Sequence, residues 1–151
     1  MLSEADFVHV VRSAPLVSID LLIKNKAGQY LLGLRTNAPA RGSWFVPGGR
    51  ILKNESLQQA KRRLSKIEIG KEISPESFSF VGVYEHFYPD NTFRLDGFGT
   101  HYVVLAFSID VQGLSLDRPF EQHAKFKWFS REDILNSDLV HAYSKAYFAP
   151  K

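Results

Sequence analysis

The segment that most restricts how this chain can fold is WFVPGGRILKNE, from Trp44 to Glu55. An apolar run that reads as a strand stops at Pro47, two glycines follow, and a helical pattern begins a few residues later. Glycine has no side chain, so a second backbone or a phosphate can approach it closely. The segment therefore reads as a tight strand-to-helix turn with carbonyl groups near the start of the helix. Downstream, Leu57, Ala60, Leu64 and Ile67 recur at helical spacing, which predicts a helix over 55–69, capped by Asn54 and ended by Gly70. Leu57, Leu64 and Glu68 share one stripe of that helix, so Glu68 lies beside or within its apolar face. A carboxylate there gains a cation or dense hydrogen bonding, or it bends out to solvent at a fraying end. A hard cation takes carboxylate and carbonyl oxygens, and this turn brings both types near one another. Glu55 stands in the first turn, where the helix dipole favours an acid.

The rest of the chain is patterned as one mixed domain over residues 1–151. Its 151 residues with 44% hydrophobic content can bury a sizeable single core. Nineteen basic residues against 16 acidic ones leave a net charge of +3 with no like-charge block, which argues against a nucleic-acid surface. Cysteine is absent, so disulfides and thiolate chemistry are excluded. The N-terminal stretch lacks the basic lead and apolar block of a signal peptide. No window approaches the ~18 apolar residues that span a membrane. A soluble cytoplasmic protein with no membrane partner is expected.

Ser3 to Arg12 reads as a short helix, and Leu16–Lys24 with Gln29–Arg35 as a hairpin about the turn at 25–28. Thr36 to Ser43 reads as a loop. Strands are expected over 78–88, 100–111 and 126–129. Ser130 caps a helical piece through Leu135, and a last helix is expected over 140–148. This order predicts an α/β (α+β) fold in which helices cover a mixed sheet. Asp20 interrupts the apolar strand Val17 to Ile23, so it faces outward at an edge or finds partners inside.

Gly49, five residues, Glu55, seven residues and Arg63 resemble the opening half of the Nudix box. The second half, Arg63-Leu64-Ser65-Lys66-Ile67-Glu68-Ile69-Gly70, keeps the arginine, the last acid and the glycine. It carries Leu64 and Ile67 where the box has acids. Along nearly its whole length the chain is similar to the GDP-mannose mannosyl hydrolase branch. The resemblance is carried by Arg12-Ser13 with Pro15 to Ser18, Leu31 to Gly33 with Arg35 to Asn37, Trp44 to Arg50, His86 to Tyr88, Thr100 to Leu105, Glu121 to His123, Ser137-Asp138, and Val140 to Ala142.

The resemblance implies a Nudix-like α/β/α sandwich with a mixed β-sheet. It also implies hydrolysis of a GDP-sugar, GDP-mannose or GDP-glucose, at the sugar carbon with inversion. A Mg2+ ion, replaceable by Mn2+, would be held by the Gly48 carbonyl, Glu68 and Gln122. His123 would be the general base. Arg35, Arg50 and Tyr102 would neutralise the leaving diphosphate, while Arg63 would reach it or brace Glu55. Asp20 and His86, with Arg35, would hold the sugar. Aromatics between Tyr84 and Phe98 are candidates for the guanine. His101 and His141 read as structural, with His141 capping or packing at the last helix. The branch also implies a homodimer to which the first helix contributes. Two readings compete with this one: a Nudix enzyme attacking phosphorus, and a Nudix-like module that binds without turnover.

Overall fold

The computed structural model describes residues 2–112 and 123–150, the side chains of His123 and Ala124 excepted. Its first helix, α1 (Glu4–Ser13), is capped by Ser3, whose hydroxyl accepts from the Asp6 amide at 3.2 Å. The chain then enters β1 (Leu16–Lys24), turns at Asn25 to Gly28 and returns as β2 (Tyr30–Arg35). Gly28 has φ of 81°, and the Gln29 amide donates to Asn25 Oδ1, so this turn needs the residues the sequence supplies. Two short strands follow, β3 (Trp44–Phe45) and β4 (Gly48–Arg50), and then helix α2 (Leu57–Ile69). A long hairpin comes next, β5 (Ser79–Tyr88) and β6 (Thr100–Asp110), and the chain ends with β7 (His123–Phe129), α3 (Arg131–Asn136) and α4 (Ala142–Lys145).

These strands form one seven-stranded mixed sheet of order β3-β2-β1-β6-β5, with β4 pairing β1 and β7 pairing β2. The β1–β6 pair is parallel and the other pairs are antiparallel. Alternation along β1 divides its side chains between two cores. Ile19, Leu21 and Ile23 join Ala60, Leu64 and Ile69 of α2, while Leu22 joins Trp44, Ile134, Val140 and Phe148. Helices thus cover both faces of the sheet, the sandwich that the resemblance implied. No helix among the described residues is long and apolar enough to cross a membrane.

Several local expectations need correction. Helix α2 is capped by Ser56, not Asn54: Ser56 Oγ accepts from the Gln59 amide and Gln59 Oε1 accepts from the Ser56 amide. Asn54 instead takes φ of 67° in the turn before the cap. The buried face of α2 is Ala60, Lys61, Leu64, Ser65, Glu68 and Ile69, whereas Leu57 and Ile67 are each 45% exposed. Helical spacing alone gave a stripe rotated from the one the sheet selects. Gly70 ends the helix with φ of 81°, as its position suggested. Asp20 is not at an edge, because it pairs with Gly48 of β4 on one side and Ala106 of β6 on the other. The last helix spans four residues, since the chain before it extends along β3: the Trp44 amide donates to the Leu139 carbonyl and the His141 amide to the Trp44 carbonyl.

The connection between β5 and β6 is organised around Asn91, which is 1% exposed. Its amide donates to the Leu95 and Phe98 carbonyls, and its oxygen accepts from the Phe93 and Leu95 amides. All four hydrogen-bonding positions of the side chain are used within one loop. Substituting Asn91→Ala leaves those backbone groups without their partner, and the expected loss is about 3 kcal/mol of unfolding free energy in urea titration.

Candidate active site

Register sets the site. Asp20 pairs with Gly48, Arg50 with Ser18, and Tyr102 with Leu16 and His86 on the two sides of β6. Asp20, Arg35, Gly48, Arg50, His86 and Tyr102 all line one cavity of about 290 Å³, together with Phe7, Ser18, Phe45, Gly49, Tyr88 and Thr92. Six sequence-predicted site residues from five strands therefore converge. Arg63 and Glu68, on α2, do not line this cavity.

Strand β4 joins the two regions. A methyl group built on Gly48 would come within 2.3 Å of the Ile19 carbonyl oxygen and 2.7 Å of Asp20 Oδ1. One built on Gly49 would come within 2.6 Å of Leu64 Cδ2 on α2. Gly48 is thus required by close approach of the β1 backbone, whereas a side chain at Gly49 would require Leu64 to shift on α2. Glu68 lies one turn beyond Leu64 and is 3% exposed, so of the two openings in the sequence reading the buried one holds. Arg63 is occupied as a brace: its Nε and a terminal nitrogen donate to Glu55 at 2.7 and 2.9 Å, and it also donates to the Arg50 carbonyl at 2.9 Å. Glu55 in turn accepts from the Leu52 amide at 3.1 Å. The Arg63 hydrogen bond holds the Glu55 carboxyl below its usual range. This brace fixes the carbonyl of Arg50, the residue that follows the glycines.

Within the cavity the arginines are seated by aromatic and backbone contacts. The Arg50 guanidinium lies 4.1 Å from the ring centre of Phe7, and that of Arg35 lies 5.8 Å from Phe45. Arg35 Nε also donates to the Pro39 carbonyl at 3.0 Å. Burial pushes the Asp20 carboxyl up to about 7, against a hydrogen bond from Tyr147 and the charge of Arg35, which both lower it. Burial, helped by His141, holds the His86 imidazole down at about 4, so it is neutral near pH 7. Burial raises Tyr102 and Tyr88 as well, leaving both as phenols that can donate.

The sequence reading missed Tyr147 and Tyr143, and it named Tyr88 only among the candidate aromatics for the guanine. Tyr147 donates to Asp20 Oδ2 at 2.5 Å, and Tyr143 stacks on His86 at 4.2 Å with the rings 6° from parallel. Tyr147 is 127 residues from Asp20 along the chain, so local pattern carries no trace of this contact. Of the histidines read as structural, His141 caps α4, its Nδ1 accepting from the Tyr143 amide, and the His101 ring stacks on that of Phe87 at 4.4 Å. Gln122 lies outside the described residues. The backbone of His123 opens β7 as the register partner of Arg35.

A central mixed sheet, helices on both faces and a Gly-Gly strand leading into an acid-bearing helix are the features of a Nudix domain. The chain belongs to the Nudix family: the NUDIX domain profile matches residues 14–149. Among named relatives it resembles the low-salt glycan biosynthesis protein Agl8 of Haloferax volcanii, with 42% identity over 123 residues, covering 80% of this chain and 74% of that protein. It also resembles the ADP-ribose pyrophosphatase of Methanocaldococcus jannaschii, with 33% identity over 99 residues, covering 66% of this chain and 53% of that protein. Among solved structures, the MutT NUDIX hydrolase of Burkholderia pseudomallei superposes with a TM-score of 0.72 at 23% identity, covering 90% of this chain and 97% of that one. The MutT protein of Methanosarcina mazei Go1 gives 0.70 at 24% identity, covering 90% and 92%. At these identities the two structures speak for the fold alone.

The site makes the protein's stability depend on pH in opposite senses. His86 titrates near 4 when folded against its ordinary 6.5, so the stability it contributes is present above 6.5 and is lost as the pH falls to about 4. Asp20 titrates near 7 against 3.8, so its contribution is present below 3.8 and is lost as the pH rises through 7. His86→Gln should flatten the fall in melting temperature between pH 6.5 and 4, followed by calorimetry. An unchanged slope across that window would contradict this assignment.

Proposed function

We propose that this Nudix protein hydrolyses GDP-mannose, with GDP-glucose as a second substrate, to GDP and the free sugar by inverting attack of water at the anomeric carbon. The observation that carries the reading lies on α2. Where the family box has two acids, this chain has Leu64, 2% exposed and packed against Gly49, and Ile67, 45% exposed. The second half of the box therefore retains Glu68 as its carboxylate. Attack at phosphorus in this family draws on those acids to hold several cations and to activate water. Attack at carbon departs with GDP, already a good leaving group, and needs less charge at the phosphates.

The donor chemistry fits one divalent cation such as Mg2+, with Mn2+ as a substitute. Glu68 would supply a carboxylate, and the Gly48 carbonyl and Gln122 further oxygens, all of them hard ligands. Among the described residues no group of three or more His, Cys, Asp or Glu offers an alternative cluster. When bound, the ion would neutralise part of the charge that develops on the departing diphosphate. Arg35 and Arg50 add positive charge on the cavity side, and the Tyr102 hydroxyl adds a donor. Asp20 and the neutral His86 hold sugar hydroxyls and fix the anomeric carbon in register. His123, whose side-chain type titrates near neutrality, takes the proton from water. Arg63 acts on this chemistry through the Glu55 brace and the Arg50 carbonyl. The glycan-biosynthesis name carried by the Haloferax relative is in keeping with a nucleotide-sugar substrate. A homodimer belongs to the same reading.

Turnover of GDP-mannose in 18O-labelled water with Mg2+ is the direct test: the label should appear in mannose, with GDP as co-product. Label in a phosphate, with GMP released, would instead support the second reading, which the pyrophosphatase relative favours. In the same assay His123→Gln should lower kcat by about 100-fold or more with little change in GDP-mannose affinity. Near-normal turnover would remove His123 as the base.

A further inference from the structure

The C-terminal turn of the protein touches the two residues proposed to hold the sugar, and none of the roles above uses it. It is clamped from two sides. The Val46 amide donates to Ser144 Oγ at 3.1 Å, and Ser144 is fully buried. Arg131 Nε donates to the Phe148 carbonyl at 2.8 Å. Between these anchors, Tyr147 meets Tyr84 edge-on at 4.6 Å and donates to Asp20 Oδ2 at 2.5 Å. Its oxygen also lies 3.4 Å from His86 Nε2. Tyr143 covers the flat of the His86 ring and is itself fixed, accepting from the Phe87 amide at 3.0 Å and donating to the Phe87 carbonyl at 2.8 Å.

The consequence is directional. One oxygen of Asp20 is engaged by Tyr147, while the other lies on the Gly48 side, and Asp20 and Gly48 both line the cavity. His86 lines the same cavity with its ring plane set by a parallel neighbour. A carboxyl free to rotate, or an imidazole free to tilt, would meet a hexose in many orientations, and ordering it would weaken binding. Here that order is present before a ligand arrives.

We propose that Tyr147 and Tyr143 are positioning residues of a hexose subsite, Tyr147 orienting the Asp20 carboxyl and Tyr143 the His86 ring toward the sugar of a nucleotide-sugar substrate. This deepens the reading given above and rests on it for the identity of the ligand. It makes the C-terminal turn a determinant of sugar recognition, and it makes no demand on the nucleotide end of the cavity.

The test compares two probes by calorimetry with Mg2+ present: GDP, and the slowly hydrolysed GDP-2-deoxy-2-fluoromannose. Tyr147→Phe removes the hydroxyl and keeps the ring. It should weaken the fluorosugar about tenfold and change GDP affinity by less than about twofold. Tyr143→Leu should produce the same split. Asp20→Asn added to Tyr147→Phe should weaken the fluorosugar by less than it does in the parent protein, because the two residues act through one contact. A general loss of structure would weaken both ligands alike, and that result, or no weakening of either, would overturn the positioning role while leaving the GDP-sugar reading intact. Failure of the unaltered protein to bind the fluorosugar more tightly than GDP would overturn the subsite. Failure to bind either ligand would overturn both.

Discussion

Strand β4 runs between β1 and α2 without room for a methyl group at either of its first two positions. Gly48 abuts the Ile19 carbonyl and the Asp20 carboxyl, and Gly49 abuts Leu64. This approach brings the backbone of the Pro-Gly-Gly turn against the strand that carries Asp20, and it holds the acid-bearing helix against the same turn. The Arg63–Glu55 brace then fixes the end of the short strand by holding the Arg50 carbonyl. A side chain at Gly48 would force β4 away from the Ile19 carbonyl of β1, and one at Gly49 would require the Leu64 side chain of α2 to move.

The sheet divides the work between its faces by simple alternation. Ile19, Leu21 and Ile23 of β1 bury themselves in the core that α2 closes, and Asp20, on the other face, meets the C-terminal turn. An ionisable residue in the middle of a central strand is costly unless its oxygens find donors. Tyr147 supplies one such donor, and Asp20 lines the cavity. The same burial that makes Asp20 expensive in the folded protein holds its carboxyl against Tyr147. His86 shows the same trade: burial disfavours its charged form, and stacking on Tyr143 sets its plane.

The fold and the profile match make this a Nudix protein, yet the helix that defines the family has Leu64 filling the core and Ile67 in solvent where acids are expected. Leu64 cannot be exchanged for an acid without burying a charge against Gly49. The loss of the acid and the tight helix–strand seam are thus one structural fact.

Much of this was legible in the chain itself, and the rest was not, for reasons of distance. Alternation and helical spacing set β1, α2 and the β5–β6 pair, because those signals arise between near neighbours. The Gly-Gly turn and the embedded Asp20 marked the site, because a missing side chain and a misplaced charge are visible without coordinates. Tertiary structure decided which face of α2 is buried, why Ser56 rather than Asn54 caps it, and that Arg63 braces Glu55. It alone brought Tyr147 to Asp20. Contacts between residues more than a hundred positions apart are chosen by how the sheet closes and where its ends dock, and a local pattern contains no term for that choice.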